Sequence, residues 1–266
     1  MGATYPGCLR CRAAVAGDGS IAVHPPPNLE IRLSEPTHHR TQGLALGFLA
    51  GYVDTLGFLA LFGLFTAHVT GNFIMIGAAL ADPGREMVLL KFLAFPAFIV
   101  GVVMARLLIV AVERRGGAAL RPALLLQVVL LSGFMACGIA ATPIGGHAGW
   151  LAMAAGLLGT AGMGAHSATS RLLLAHLAPT SMMTGNVTQI VIDLTDAARG
   201  ANDPGLKGRC AKFIWPLAAF AIGCVVAAFA FHRFGFAALV LPVLILLGLT
   251  ASETPAMPVQ ERTTPP

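Results

Sequence analysis

AHVTGNFIMIGAAL, residues 67–80, is an almost wholly apolar run broken by Thr70-Gly71-Asn72. SMMTGNVTQIVIDL, residues 181–194, carries the same triplet in the same kind of setting. Polar groups inside an apolar run cost free energy unless they are hydrogen-bonded or wet. What surrounds these two stretches therefore decides the fold.

The sequence around them is not that of a soluble domain. The chain has 266 residues, 56% hydrophobic and 11% charged, with a mean hydropathy of +0.77. Soluble domains carry about 25% charged residues. There is too little polar surface here to face water, so the expected solvent is lipid. The formal net charge is +5. The basic residues sit between apolar runs and no aromatics alternate with them. That pattern sets membrane topology rather than nucleic-acid binding.

A helix needs about 20 apolar residues to cross the hydrocarbon. Six stretches qualify: 43–65, 92–112, 121–141, 149–170, 212–231 and the shorter 236–251. All are apolar on every side, unlike surface helices of soluble proteins. After each triplet only about half a membrane's worth of helix follows before charge appears, in FIMIGAALAD and VTQIVIDLTD. Each triplet thus opens either a re-entrant half-helix or the second part of a full span. Six spans place the basic residues of the amino-terminal tail, the 114–121 turn and the 199–212 loop on one side. By the positive-inside rule that side is the cytoplasm, with both termini in it. Residues 1–42, which contain PPP and no secretory signal, and residues 252–266 read as disordered tails. Cys8 and Cys11 form a lone CxxC; even with His38 and His39 it falls short of a convincing metal site. No cofactor or metal is called for. Cys137 and Cys224 lie in apolar runs, as packing residues do.

Aligned on the triplets, TGNFIMIGAALAD and TGNVTQIVIDLTD share Thr70/Thr184, Gly71/Gly185, Asn72/Asn186, Ile76/Ile190, Leu80/Leu194 and Asp82/Asp196. Lys91-Phe92 and Lys212-Phe213 then open the next span in each half, followed by Pro96 and Pro216. The expected fold is an all-α integral membrane protein of two repeats, 43–141 and 149–251. With three spans per half the repeats are inverted, an architecture common in secondary transporters. With four they are parallel.

GYVDTLGFLALFGLFTAHVTGN (51–72) and the later MMTGN (182–186) resemble the YoaK family of bacterial multi-pass inner-membrane proteins. The resemblance covers about 43–251. It implies a helical membrane protein of about six spans and no established substrate. The chain departs from the family pattern at Gly164-Ala165-His166-Ser167, where a Gly-x-Gln-Asn-like stretch is expected.

Several polar residues then stand out as site candidates. Asn72 and Asn186 are expected to cap half-helices, leaving free N–H groups and a positive dipole end at mid-membrane depth. Two such ends facing one cavity suit a small anionic or zwitterionic solute, bound by Thr70, Gly71, Asn72, Thr184, Gly185, Asn186, His166 and Ser167. The alternative is small-residue packing where helices cross. Asp54, near the middle of the first span, is costly when ionised there, by roughly 2.5–3.5 kcal/mol. It reads either as a proton or cation site, or as a hydrogen-bond partner of His68, His166 or Ser167. Arg106 is a further candidate partner, and Arg171 reads as snorkelling to an interface. Gln189 and Asp193 share one helix face. The leading expectation is a secondary carrier, with proton coupling through Asp54 and with bilayer and solute as partners; a homo-oligomer is compatible. The alternative is a non-transporting structural or regulatory membrane protein. An enzyme is not expected: Asp54, His166 and Ser167 match no GxSxG or HExxH pattern.

Overall fold

The computed structural model describes residues 14–15, 21–22, 36–81, 88–145, 149–180, 183–200 and 205–253. The chain divides into two units, Met1–His39 and Arg40–Pro266. In the first, Ala14–Val15 (β1) pairs antiparallel with Ile21–Ala22 (β2). Most of the two expected tails lies outside the described residues, with Cys8, Cys11, Asp82 and Arg85.

From Pro36 onward the described secondary structure is helical. The helices are α1 (Pro36–Ala60), α2 (Gly71–Ala81), α3 (Val88–Glu113), α4 (Leu120–Ala141), α5 (Trp150–Leu173), α6 (Met183–Ala198), α7 (Leu206–Phe234) and α8 (Val240–Ser252). A 3-10 turn, Gly235–Leu239, links α7 to α8. Among the described residues four stretches are long and apolar enough to cross a membrane: Arg40–Ala60, Val88–Glu113, Leu120–Ala141 and Gly208–Ser252. The last absorbs the fifth and sixth predicted spans into one run of 45 residues.

The predicted span 149–170 forms α5, which is long but not among those four. Its place explains its composition. It packs against both α3 and α4, and Gly156 to Ala165, His166, Thr169 and Ser170 are largely buried in protein. A helix shielded from lipid by its neighbours has no need to be apolar. The outer helices show the converse. Phe92, Leu107, Val129, Phe229 and Leu244 are each more than half exposed, as suits side chains that meet lipid rather than water.

Glycines set the closest helix crossings. A Cβ on Gly51 of α1 would overlap the carbonyl oxygen of Phe220 of α7, and one on Gly223 would overlap that of Phe48. Likewise, a Cβ on Gly101 of α3 would overlap the carbonyl oxygen of Ala161 of α5, and one on Gly164 would overlap that of Phe98. Such contacts between backbones require residues without side chains. α1 and α7 run the same way: Pro216 faces Gly43 and Gly47, and Phe220 faces Gly51. α3 and α5 also run together, with Leu90 against Gly156 and Gly101 against Ala161. α4 opposes α5, since Gln127 meets Thr169 while Phe134 meets Gly159. Phe236, just past α7, packs on Gly138 near the end of α4, so α4 and α7 finish at one end of the bundle. The Gln42 amide bonds Glu253, tying the start of α1 to the end of α8.

Candidate functional site

α1 stops earlier than the predicted span because Phe62 (φ 54°) and Gly63 (φ 74°) both adopt left-handed backbone. Gly63 does so freely, whereas Phe62 does so at a steric cost of about 1–2 kcal/mol. The chain then doubles back along α1, bringing Thr66 beside Gly57.

Asp54 holds this returning segment. Its Oδ1 accepts from the backbone N–H groups of Thr66 and Ala67, each at 2.7 Å, and from the Thr66 hydroxyl at 3.2 Å. Its Oδ2 lies 2.6 Å from His68 Nδ1. A carboxylate only accepts, so Nδ1 carries the hydrogen. Of the predicted partners, His68 is therefore the one taken, and Arg106 sits on the exposed face of α3.

Asn72 is not the predicted N-cap. α2 begins one residue earlier, and the Asn72 side chain reaches back seven residues to Phe65. Its Oδ1 accepts from Phe65 N (3.0 Å) and its Nδ2 donates to Phe65 O (2.8 Å). Nor are the N–H groups at this helix start free. Those of Gly71, Asn72 and Phe73 donate to the carbonyls of His68, Val69 and Thr70. A tight turn therefore satisfies the helix start, and the side chain is used to close the loop.

The second half repeats the plan with other residues. α6 starts at Met183, so Asn186 lies inside its first turn. Asn186 Nδ2 donates to Pro179 O, again seven residues back (2.8 Å). Proline has no N–H, which removes the second bond that Asn72 makes. We therefore expect Asn72→Ala to lower stability more than Asn186→Ala, by about 0.5–1.5 kcal/mol, the worth of one hydrogen bond. Thermal unfolding of the two variants in detergent checks the order. Equal losses would mean that the Phe65 N–H bond contributes no more than the contact of Asn186 Nδ2 with Met183 Sδ (3.4 Å).

Thr180 stands where Thr66 stands, four residues before the triplet threonine. His166 holds it, with Nε2 2.9 Å from Thr180 Oγ1 and Nδ1 3.2 Å from Gln127 Oε1. Gln127 gives its amide hydrogens to Ala123 O and Thr169 Oγ1. Its oxygen thus faces His166, so Nδ1 must donate and Nε2 accepts from Thr180. This assignment follows from the network. Thr66 and Thr180 escaped the sequence reading, although extending the repeat alignment four residues upstream pairs them.

A hollow of about 470 Å³ lies between these returning segments. Its walls include Ala67, His68, Val69 and Thr70 from the first, Thr184 and Gly185 from the second, Phe95, Phe98 and Val102 from α3, and Ser167, Ala168 and Arg171 from α5. Of the predicted site residues, Thr70, Thr184, Gly185 and Ser167 line it. Asn186 lines an adjoining hollow with Arg171, Gln189 and Lys212. Asp54 lines another, with His68, Phe58, Phe65 and Phe220. Gly71, Asn72 and His166 line none of the three; Asn72 and His166 are buried and hold the loops. Arg171, read from sequence as a snorkelling residue, is exposed and lines two of the hollows.

Gln189 donates to Asp193 Oδ1 (3.1 Å), and Arg209 Nε lies 3.6 Å from the same oxygen. Asp196 is exposed near the end of α6. Among the described residues no group of three or more His, Cys, Asp or Glu is placed to hold a metal ion.

The family described as a protein of unknown function, DUF1275, matches residues 42–252. The UPF0700 transmembrane protein YoaK of Bacillus subtilis (strain 168) is 35% identical over 83 residues, which is 31% of this chain and 37% of that relative. The chain thus aligns with well under two thirds of that relative's length. No solved structure matches.

Proposed function

The chain belongs to the DUF1275 family, a multi-pass transmembrane family without an assigned function, and from its own geometry we propose a secondary carrier for a small anionic or zwitterionic solute. In this reading it is built from two inverted repeats of three spans, each with a re-entrant half-helix, α2 or α6, in an inner membrane with both termini in the cytoplasm.

The repeat is supported by matched devices. Asn72 and Asn186 clamp the residue seven back, and Asp54 and His166 hold Thr66 and Thr180. The glycine crossings are also reciprocal. α1 of the first half meets α7 of the second, and α5 of the second meets α3 of the first, through carbonyls at matching positions.

Inversion is supported by where helix ends meet. Leu61, just past α1, and Leu90, at the start of α3, both flank Gly156 near the start of α5. The end of α1 and the start of α3 therefore share one end of the bundle, as a re-entrant α2 requires. A spanning α2 would separate them by the membrane thickness, about 30 Å. The joint finish of α4 and α7 agrees with six spans and not with eight. Three spans per half then turn the second half over.

The single observation that carries the carrier reading is the hollow bordered by Thr70 from one half and Thr184 and Gly185 from the other. A site between inverted repeats is where alternating access needs it. Asp54 and His68, beside that hollow, are the coupling pair. A membrane enzyme draws no support from His166, whose ring nitrogens face Gln127 and Thr180 rather than serving as a base for Ser167.

Reconstituted vesicles test the reading. Wild type is expected to accumulate a solute when a proton gradient is imposed. Asp54→Asn keeps an acceptor for the Thr66 and Ala67 amides but loses the charge, so it should exchange solute without accumulating it. Asp54→Ala should unfold more readily by several kcal/mol, because two buried N–H groups lose their acceptor at about 1–3 kcal/mol each. Undiminished gradient-driven uptake by Asp54→Asn would remove Asp54 from coupling. No gradient-dependent flux of any solute in wild type would leave the non-transporting reading.

A further inference from the structure

We propose that His68, through Nε2, is the group that binds the coupled proton and passes it between two hollows that its ring borders, while Asp54 stays a fixed counter-charge. The coupling role rests on the carrier reading; the proton site stands on the geometry of the pair.

Asp54 is poorly placed to take a proton itself. Its Oδ1 already accepts from the Thr66 and Ala67 amides at 2.7 Å and from the Thr66 hydroxyl at 3.2 Å. Backbone N–H groups cannot turn away to admit a further hydrogen. Its Oδ2 accepts from His68 Nδ1 at 2.6 Å. With that hydrogen on Nδ1, the lone pair of the neutral ring is on Nε2. Among the described residues Nε2 has no hydrogen-bond partner. It is therefore the basic atom of the pair that remains open. A proton from water forms an N–H bond there and leaves by breaking the same bond, with no other bond made or lost. The pair then alternates between one net negative charge and none.

His68 is the residue that the two hollows share. One, of about 370 Å³, is walled also by Asp54, Thr55, Phe58, Phe65, Phe220 and Cys224. The other is the hollow of about 470 Å³ between the returning segments. The two correspond within the repeat. With Gly51 matched to Gly164, Asp54, Thr55 and Phe58 match Ser167, Ala168 and Arg171, and each set lines its own hollow. Phe220 and Cys224 match Phe98 and Val102 in the same way. The α1 walls follow Gly51 toward the end of α1, and the α5 walls follow Gly164 toward the end of α5. α1 and α5 run in opposite directions, because α1 runs with α7, α7 finishes with α4, and α4 opposes α5. The hollows thus extend toward opposite ends of the bundle, with His68 on the wall of each. A proton taken from one and released to the other has changed sides, as alternating access requires.

The device is single. His68 stands two residues before Thr70, where the second half has Met182 before Thr184, and Asp54 is matched by Ser167. One coupled proton per chain is expected. The other ionisable side chains on the two hollows are Cys224 of α7, whose thiol donates to Gly51 O, and Arg171 of α5, which has an interaction of its own. The α3 wall, Phe95, Phe98 and Val102, has none.

Infrared difference spectra of the full chain in neutral detergent, taken across a pH step with protons as the only ligand, test the site. Wild type should show an imidazolium signal that His68→Gln reduces by one residue's share. The glutamine amide can still donate to Asp54. Asp54→Asn should remove no protonated-carboxyl band, because that carboxylate never takes the proton. Loss of such a band in Asp54→Asn, or an imidazolium signal unchanged by His68→Gln, overturns the proposal. Should His68→Gln fail to fold, the carboxyl band decides. Vesicles with trapped pyranine separate the two claims, since the dye reports protons that enter when amino acids or small carboxylates are added outside. His68→Gln should abolish this entry and keep counterflow of the same solute. Proton entry retained in His68→Gln overturns the proton site and keeps the carrier. A proton bound at His68 with no solute-driven entry in wild type keeps the site and sinks the carrier.

Discussion

Gly101→Ala and Gly223→Ala will each lower the unfolding midpoint of the detergent-purified protein sharply, and Gly101→Leu and Gly223→Leu will leave no monodisperse protein. The reason is what the new side chain would strike. At both positions it is backbone of the neighbouring helix, Ala161 of α5 or Phe48 of α1. A flexible side chain end can rotate away, whereas a helix carbonyl moves only if the helix moves. Overpacking of this kind costs about 1–3 kcal/mol and sometimes more. Gly77→Ala and Gly248→Ala are the controls, since a Cβ at either would meet nothing within 4 Å. Those changes should be neutral or stabilising by up to about 1 kcal/mol, the helix-propensity gain of alanine over glycine. The pairing carries a further consequence. Gly51→Ala should behave like Gly164→Ala, because each meets a carbonyl of the other half's third helix, Phe220 or Phe98. If one crossing is sensitive and the other tolerant, the two are not equivalent and the repeat loses its strongest packing argument.

How much of this was legible in the sequence depends on the kind of signal each feature leaves. The membrane setting was legible from composition, and the paired triplets from the oddity of polar identities inside apolar runs. The polarity of α5 was visible too, but its reason was not. His166, Thr169 and Ser170 are tolerated because α3 and α4 cover them, and no local pattern records what covers a helix. The task of Asn72 was misread for a similar reason. A cap acts two or three residues ahead and has a recognisable spacing. A clamp on a carbonyl seven residues behind follows no helical or strand period, because the chain between is a bend. The earlier end of α1 turns on left-handed backbone at Phe62, a residue with no sequence preference for it. Asp54 was found because charge in lipid is rare. Its choice of His68 over His166 needed the returning segment to be placed. The glycine crossings left the faintest trace. Glycine is common in this chain, 31 of 266 residues, so only the reciprocal contacts single out these four.

Gly185→Val separates fold from function inside a single repeated triplet. The two triplets look identical in sequence, yet their glycines meet different surroundings. A Cβ on Gly71 would lie 3.1 Å from the Phe65 ring, whereas one on Gly185 meets nothing within 4 Å. Gly185 is exposed and lines both the shared hollow and its neighbour. A valine at 71 has to push the ring whose backbone Asn72 holds in place, and should cost about 1–3 kcal/mol of stability. A valine at 185 has room, and its propensity for a helix is no worse than that of glycine. Its two methyl groups then occupy space that a solute would use, between Thr184 and Arg171. We therefore expect Gly185→Val to unfold at the wild-type temperature while losing about tenfold or more in flux. Gly71→Val should show the opposite balance, a lower midpoint with normal flux through the protein that stays folded. Wild-type flux through Gly185→Val would mean that solute does not pass this point, and the hollow would then be a packing gap between two well-held loops.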